Sequence, residues 1–186
     1  MAATVSVHYH GGSGPTEHEV GAGGLRFKAI DNDAHNVDLT NPIPIPAAGT
    51  NYSYLCHVYI KATAGSGFSI NNIKFYGDGA VYDANTPVMV GGETPQNPAE
   101  YDQATGTAGE TGTEMVADHT IITTSVSATT LTSASPKTVT VPTAQAGVID
   151  ASGEVSNYVV LQMNVGTAAT PGTLANETLT FRYDEV

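Results

Sequence analysis

An alternation of side chains over residues 52–62, with Leu55 as an apolar exception at an odd position, is the strongest periodic pattern in the chain. Even-numbered positions carry apolar or aromatic side chains, and the odd-numbered ones include His57, Tyr59 and Lys61. Successive side chains of a β-strand point to opposite faces, and β-branched and aromatic residues suit that pleated surface. The pattern therefore predicts a central strand with one buried face and one half-solvated face.

The residues after this strand predict a hairpin that ends at Tyr76. Residues 63–67 form a short connection with two glycines, which supply positive φ angles in tight turns. The returning segment, residues 68–76, carries its apolar side chains first at even and then at odd positions. Because an extra residue in one strand shifts this phase, we expect a β-bulge at Asn71 and Asn72.

Seven further segments have the alternation or the apolar content of strands. Residues 158–165 predict a second central strand, and residues 178–184 form a closing strand with Leu179, Phe181 and Tyr183 facing inward. The other candidates are residues 4–10, 25–30, 115–124, 126–132 and 136–142. No segment shows a capped apolar stripe at the helical period. The chain is therefore predicted to be all-β, with little helix and about nine or ten strands in one antiparallel β-sandwich or jelly-roll-like domain, residues 1–186.

Two segments outside the predicted strands are candidates for contacts with other proteins. The extended connector, residues 41–50, begins with alternating proline and isoleucine, and proline fixes φ and lacks a backbone donor. The long acidic loop, residues 92–112, has little apolar surface, so we expect it to order against a partner. The predicted interaction residues are Pro42, Ile43, Pro44, Ile45, Pro46, Glu93, Glu100, Asp102 and Glu110.

The charge balance restricts the classes of partner. Eighteen acidic residues against six Lys and Arg give a net charge of −12, whereas nucleic acids and anionic membranes bind clustered cations. We therefore expect neither as a partner. No apolar run reaches the roughly 18 residues of a membrane span, and the first residues lack the pattern of a secretory signal. The expectation is a protein made in the cytoplasm.

The single cysteine and the histidines are the first candidates for chemistry. Cys56 lies on the apolar phase of the central strand, so we expect a packed, unreactive side chain. His8 and His10 share one face of a strand, and Glu17 and His18 follow, as a metal site would require. The spacing departs from the cupin pattern, because Glu17 comes seven residues after His10. We expect these histidines to face solvent or a neighbouring subunit.

Other motifs also argue against a metal or a catalytic centre. Asp31, Asp33 and Asp38 resemble a calcium loop in composition, but the EF-hand glycine and glutamate are missing, so ordinary turns are predicted. Asp78 and Asp83 are interpreted in the same way. No nucleophile elbow, phosphate-binding loop or HExxH motif occurs. No catalytic residue, cofactor or metal is therefore predicted.

Carbohydrate binding remains an alternative for an all-β domain. Sugar-binding platforms rely on aromatic rings, and this chain has no tryptophan. Tyr54, Tyr59 and Tyr76 are the residues that would partly replace it.

The whole profile resembles the accessory structural proteins of tailed bacteriophages, in particular capsid decoration or cement proteins. The features that carry the resemblance are residues 41–46, the predicted hairpin and the closing sequence Leu-Thr-Phe-Arg-Tyr-Asp-Glu-Val. The resemblance implies a non-enzymatic virion protein, often trimeric, that binds the major capsid protein or other virion proteins and reinforces the shell. The alternatives are a tail or fibre module that binds host-surface glycans and, third, a cupin-like metal enzyme.

Overall fold

The computed structural model describes residues 2–13, 16–32, 40–80, 83–93, 97–172 and 176–186. Within these residues the chain forms twelve strands in antiparallel sheets, which confirms the predicted all-β sandwich. The strands are β1 Thr4–His10, β2 His18–Glu19, β3 Thr50–Tyr52, β4 Cys56–Ala64, β5 Ile70–Gly77, β6 Val88–Glu93, β7 Gly106–Thr107, β8 Thr111–Gly112, β9 Ile122–Ser127, β10 Lys137–Thr138, β11 Val159–Gly166 and β12 Leu179–Glu185. The helices are one α-helical turn, α1 (Met115–Asp118), and three 3₁₀ turns (Pro98–Glu100, Ala128–Thr130 and Thr143–Gln145).

The sandwich consists of a larger and a smaller sheet. The larger sheet has the order β2-β1-β4-β11-β6-β9, with β3 beside the far end of β11, and the smaller sheet has the order β10-β5-β12. In the larger sheet, His10 lies opposite His57, and Val58 lies opposite both Tyr9 and Val159. The buried core contains residues of both sheets, such as Val58 and Phe75, so the two sheets pack face to face.

The predicted hairpin over residues 52–76 is wrong. β4 pairs with β1 and β11 in the larger sheet, whereas β5 pairs with β10 and β12 in the smaller one. The chain crosses between the sheets after β4, through Gly65 (φ 119°) and Gly67 (φ 67°). Alternation along a strand determines which side chains are buried, but it does not determine the neighbouring strand, and a short glycine-containing connection permits either path.

A β-bulge interrupts β5, as the phase slip in the sequence predicted. Two residues of β5, Asn72 and Ile73, lie opposite the single residue Tyr183 of β12, and Asn72 has a φ of 49°. Asparagine tolerates this left-handed backbone better than most residues. The bulge allows both Ile70 and Ile73 to be buried in the core.

Several predicted strand boundaries differ from the observed ones. The central strand is interrupted at residues 53–55, where the N–H of Tyr54 donates to the carbonyl of Lys28. Residues 25–30 form no strand, because their backbone groups bond to three separate segments rather than to one ladder. Residues 115–124 divide into α1 and the start of β9. Residues 136–142 contain only the two-residue β10, and residues 126–132 only the end of β9 and a 3₁₀ turn.

Both faces of the central strand are buried, so the prediction of a half-solvated face is wrong. The aliphatic face of the larger sheet, which includes Val58 and Leu161, packs against the smaller sheet. The opposite face we call the histidine face, and it carries His8, His10, His57, Tyr59, Tyr158 and Gln162. Residues 97–119, which we call the covering segment, pack over the histidine face through contacts described below.

Candidate functional site

An apolar groove of about 1170 Å³ lies between the two sheets. We call it the intersheet groove. The larger sheet contributes side chains of β1, β4, β6 and β11, and the smaller sheet contributes Phe75 of β5 and Leu179 and Phe181 of β12. Because β12 lines the groove and β10 does not, the groove lies on the β12 side of the smaller sheet. It is large enough to accommodate a ligand or a segment of another chain.

The extended connector contributes to this groove. Pro42, Ile43 and Ile45 line it, and 39% of Ile45 is exposed. Two hydrogen bonds attach the connector to the rest of its own chain. The N–H of Ala29 donates to the carbonyl of Asn41 (3.0 Å), and the side-chain amide of Asn51 donates to the carbonyl of Pro44 (2.8 Å). The predicted isoleucines are therefore presented on the groove, while Pro44 is exposed and Pro46 is half-buried.

Among the described lining residues, two buried oxygen atoms have no hydrogen-bond partner. They are the hydroxyl oxygen of Thr86, which is only 9% exposed, and the Oε1 atom of Glu177. Burial, and to a smaller extent the charge of Asp78, raises the pKa of Glu177 above its usual value. A buried acceptor without a donor is costly, so these groups favour a ligand that brings a donor or a positive charge.

The charged side chains that line the groove are mainly acidic. Glu19, Asp83 and Glu177 oppose the single cation Arg26 among the described lining residues. Asp83 accepts hydrogen bonds from the backbone N–H groups of Asn85 (2.7 Å) and Thr170 (3.1 Å). The potential of the groove is therefore complementary to a cation.

The histidine face carries a hydrogen-bonded network. Nδ1 of His10 contacts the hydroxyl of Tyr158, and Nε2 of His10 lies 3.2 Å from the hydroxyl of Tyr59. That hydroxyl donates to Oε2 of Glu17 (2.9 Å), whose other oxygen accepts a hydrogen bond from Lys61 Nζ (2.5 Å). The network therefore runs from the buried face to the surface ion pair of Glu17 and Lys61.

The covering segment keeps this network out of water. The ring of Tyr101 contacts His57 edge-on (5.0 Å between centroids), and its hydroxyl donates to the carbonyl of Gly12 (3.1 Å). Gln162, on the histidine face, donates to the carbonyl of Thr113 (2.7 Å) and accepts from the N–H of Met115 (2.9 Å). These bonds attach the covering segment to the larger sheet.

The pKa shifts on this face favour neutral side chains. Burial lowers the pKa values of His8 and His10, although the charge of Glu17 partly opposes this effect. Burial also raises the pKa values of Tyr59, Tyr101 and Tyr158 above the usual range for tyrosine. For Glu17, burial raises the pKa, but hydrogen bonds from Lys61 and Tyr59 outweigh it and the net shift is downward.

The expectation that the histidines face solvent or a neighbouring subunit is wrong for the pair on β1. His8 and His10 are 6% and 7% exposed: His8 packs against Tyr59 and Glu17, and Tyr101 of the covering segment lies against His10. Nδ1 of His8 lies 3.5 Å from Glu17, so two of the residues that suggested a metal site do meet. Among the residues that the structure describes, no group of three or more His, Cys, Asp or Glu side chains is arranged to hold a metal ion.

Cys56 is confirmed as a packed side chain of the core. It is fully buried, and burial raises its pKa to about 12. A thiol with this pKa stays protonated and unreactive at neutral pH.

Residues 97–112 of the acidic loop pack against their own chain, contrary to the expectation that the loop orders only against a partner, and residues 94–96 lie outside the described residues. Ala104 is buried, and Tyr101 packs against the core of the histidine face. The carboxylates of Glu100, Asp102 and Glu110 remain exposed, and the backbone of Glu93 pairs with Ile122 at the end of β6. The composition concealed this packing, because a few apolar side chains and backbone bonds hold the segment in place.

Asp78 and Asp83 form the predicted turns, because each accepts a hydrogen bond from the backbone N–H two residues on, whereas Asp31 bonds to distant segments of the chain instead. Asp31 accepts hydrogen bonds from the N–H of Gly12 (2.8 Å) and from Gln103 (2.6 Å), and Asp78 accepts one from the N–H of Ala80 (2.8 Å). Asp33 and Asp38 lie outside the described residues. The tyrosines considered for sugar binding are mostly inaccessible, since Tyr54 and Tyr59 are buried and Tyr76 is half-buried.

Sequence reasoning did not identify the groove or its two polar groups. The groove combines residues from eight strands and the connector, and each apolar side chain alone has the pattern of an ordinary core residue. Thr86 and Glu177 lie in connections without periodicity, so no pattern distinguishes them from solvated loop residues.

The fold and the groove define an antiparallel β-sandwich with an open apolar site between its sheets. Comparison with known proteins gave no matching family model, no matching curated protein and no matching solved structure. Within the described residues, no helix has the length and hydropathy needed to cross a membrane.

Proposed function

We propose that this chain is a non-enzymatic structural protein of a virus particle, a decoration or cement protein that binds the outer surface of the shell and stabilises it. The observation that supports the proposal best is the intersheet groove, to which the connector adds Ile43 and Ile45. Large open apolar surfaces on a folded domain are typical of interaction sites. The partner is the major capsid protein or another virion protein, and a homotrimer is the favoured assembly.

The distribution of charge supports an assembly role. Glu100, Asp102 and Glu110 are exposed on a segment that packs against the larger sheet. An acidic surface on a packed segment has less conformational freedom to lose on docking than one on an unpacked loop, and it complements a basic partner surface. Binding of host-surface glycans has less support, because the tyrosines suited to a sugar platform are mostly buried.

The proposal is tested by adding the purified chain to shells of the encoding virus that lack it. We expect saturable co-sedimentation and a higher melting temperature of the shell, because a ligand that binds only the assembled state stabilises it. Analytical ultracentrifugation of the free chain checks for the trimer. Absence of saturable binding would contradict the proposed function.

The role of the connector is tested by the double substitution Ile43→Ser and Ile45→Ser. Burying an isoleucine is worth about 1.5 to 3 kcal/mol, so the double variant should bind the shell at least about tenfold more weakly. Val126→Ser is the matched control, because Val126 is also 39% exposed but does not line the groove. Equal weakening by both variants would mean that the connector has no specific role.

A further inference from the structure

The outer edge of β12 is unpaired within the part of the chain that the structure describes. β12 pairs with β5 along one side, and the smaller sheet ends there. Open edges of this length expose backbone donors and acceptors that can bind a further strand. Proteins commonly protect such an edge with a neighbouring chain or a covering element.

The hydrogen-bonding pattern identifies which backbone groups of β12 are available. The N–H of Asp78 donates to the carbonyl of Thr178, which makes these two residues a hydrogen-bonded pair. Such pairs alternate in an antiparallel ladder, so Thr180 and Arg182 bond to β5. The N–H and carbonyl groups of Leu179 and Phe181 therefore point to the open edge.

The intersheet groove lies directly beneath this edge. The side chains of Leu179 and Phe181 line it from above, and Val5, Val7 and Met163 of the larger sheet line it from below. A strand added to β12 would continue the smaller sheet, and every second side chain would point into the groove. The groove and the open edge therefore suit a strand in which every second residue is apolar.

The polar groups of the groove indicate which charge a strand bound there would carry. Thr86 and Glu177 present buried oxygens without donors, and the charged lining is mainly acidic. A lysine or arginine on the incoming strand would supply both the donor and the positive charge. A second copy of this chain fits poorly, since it too carries a net charge of −12.

We propose that the intersheet groove binds one extended segment of a basic partner protein, which pairs with the open edge of β12 and places alternate apolar side chains in the groove and a lysine or arginine beside Glu177. This inference deepens the proposed function and rests on it, since it names how the shell protein is held. Binding by strand addition uses backbone bonds for affinity and side-chain pockets for specificity.

The first experiment measures amide hydrogen exchange of the chain, free and bound to the shell, at residue resolution. We expect the amides of Leu179 and Phe181 to exchange quickly in the free chain and at least about tenfold more slowly in the bound chain. The amides of Thr180 and Arg182, which already bond to β5, serve as internal controls and should change little. Shell binding without protection of Leu179 and Phe181 would overturn the inference and leave the proposed function standing.

The second experiment does not depend on the shell. A short blocked peptide of alternating valine and threonine with one lysine is titrated into the labelled chain, and amide exchange is followed by NMR. We expect protection of the same two amides, and Glu177→Gln should weaken peptide binding about tenfold. Glu114→Gln, an exposed carboxylate outside the groove lining, is the control for net charge.

The two experiments separate the two proposals. If the shell does not bind but the peptide protects Leu179 and Phe181, the groove accepts strands and the proposed function is wrong. If the peptide leaves both amides unprotected, or binds equally well to the Glu177→Gln and Glu114→Gln variants, the inference is wrong.

Discussion

The two faces of the larger sheet are built from the same strands but are held by different forces. Leu161 and Gln162 are neighbours on β11 and both are 1% exposed, yet they point to opposite sides. Leu161 packs among aliphatic side chains beneath the smaller sheet. Gln162 makes three hydrogen bonds, to Ser53, Thr113 and Met115.

This difference shows that burial alone does not define a hydrophobic face. The aliphatic face depends on non-directional packing, which tolerates substitutions that conserve volume. The histidine face depends on directional bonds, and each broken bond leaves a buried group without a partner. We expect the two faces to respond differently to substitution and to pH.

The largest expected effect is on the aliphatic side. Phe75→Ala removes a ring that is 1% exposed and contacts Phe181 edge-on with 4.9 Å between centroids. The free energy of unfolding should fall by about 3 to 5 kcal/mol, since a cavity remains. Urea unfolding measures it, and Phe75→Leu should recover much of the loss. A loss below about 1 kcal/mol would contradict the assigned packing.

A similar but somewhat smaller effect is expected from Gln162→Leu on the histidine face. The substitution conserves approximate size but leaves the carbonyls of Ser53 and Thr113 and the N–H of Met115 without their partner. We expect a loss of about 3 kcal/mol, because each unpaired buried group costs roughly 1 to 3 kcal/mol and the structure relaxes partly. Gln103→Leu, at an exposed glutamine of the covering segment, should cost much less. Equal stability of both variants would mean that Gln162 does not hold the covering segment.

Tyr59→Phe tests the hydrogen-bond network alone. It removes a hydroxyl that donates to Glu17 and contacts His10, and it keeps the ring in place. The expected loss of unfolding free energy is about 1 to 2 kcal/mol. Tyr76→Phe, at a half-buried tyrosine of the smaller sheet, is the comparison. If the two variants lose the same amount, the network contributes nothing specific.

The smallest expected effect is a dependence on pH that comes from the buried histidines of the histidine face. The pKa values of His8 and His10 lie below 6.5 in the folded chain, so the unfolded chain binds protons first as the pH falls. The free energy of unfolding should therefore keep its full value above about pH 6.5 and should decline as the pH falls below that value. The change in urea midpoint between pH 7.5 and pH 5.5 measures this decline.

The double variant His8→Gln and His10→Gln serves as the control for the pH experiment. It should be less stable than the parent at pH 7.5, but its midpoint should change less between the two pH values. A parent chain whose midpoint rises on acidification would contradict the assigned direction of both shifts.

The alternation of apolar and polar residues correctly located those strands whose burial pattern can be read from their own sequence. β1, β11 and β12 lie within about one residue of their predicted bounds, because period-two burial is a local property. The crossing after β4 was not predictable, since the sequence of a connection does not specify which sheet the next strand joins. α1 was missed because a helix of one turn has no period to detect.

Residues of the candidate sites were predictable only where they all lie in one short segment of the sequence. The connector residues Ile43 and Ile45 were identified from their own sequence, and they line the groove. The meeting of His10 with Tyr158 requires the pairing of β1, β4 and β11, which are distant in the chain. The burial of His10 also depends on the covering segment, whose polar composition indicates solvent exposure.

The crossing of the chain between the sheets also determines when the protein can fold. Within the described residues, β4 has β1 and β11 as its main neighbours, and β11 ends only at Gly166, about a hundred residues after β4. β5 likewise meets its longest partner, β12, only near the end of the chain. Such a high contact order predicts folding in milliseconds to seconds rather than microseconds. During synthesis β11 and β12 would emerge from the ribosome long after β4 and β5, and until then the unpaired strands would be accessible to chaperones.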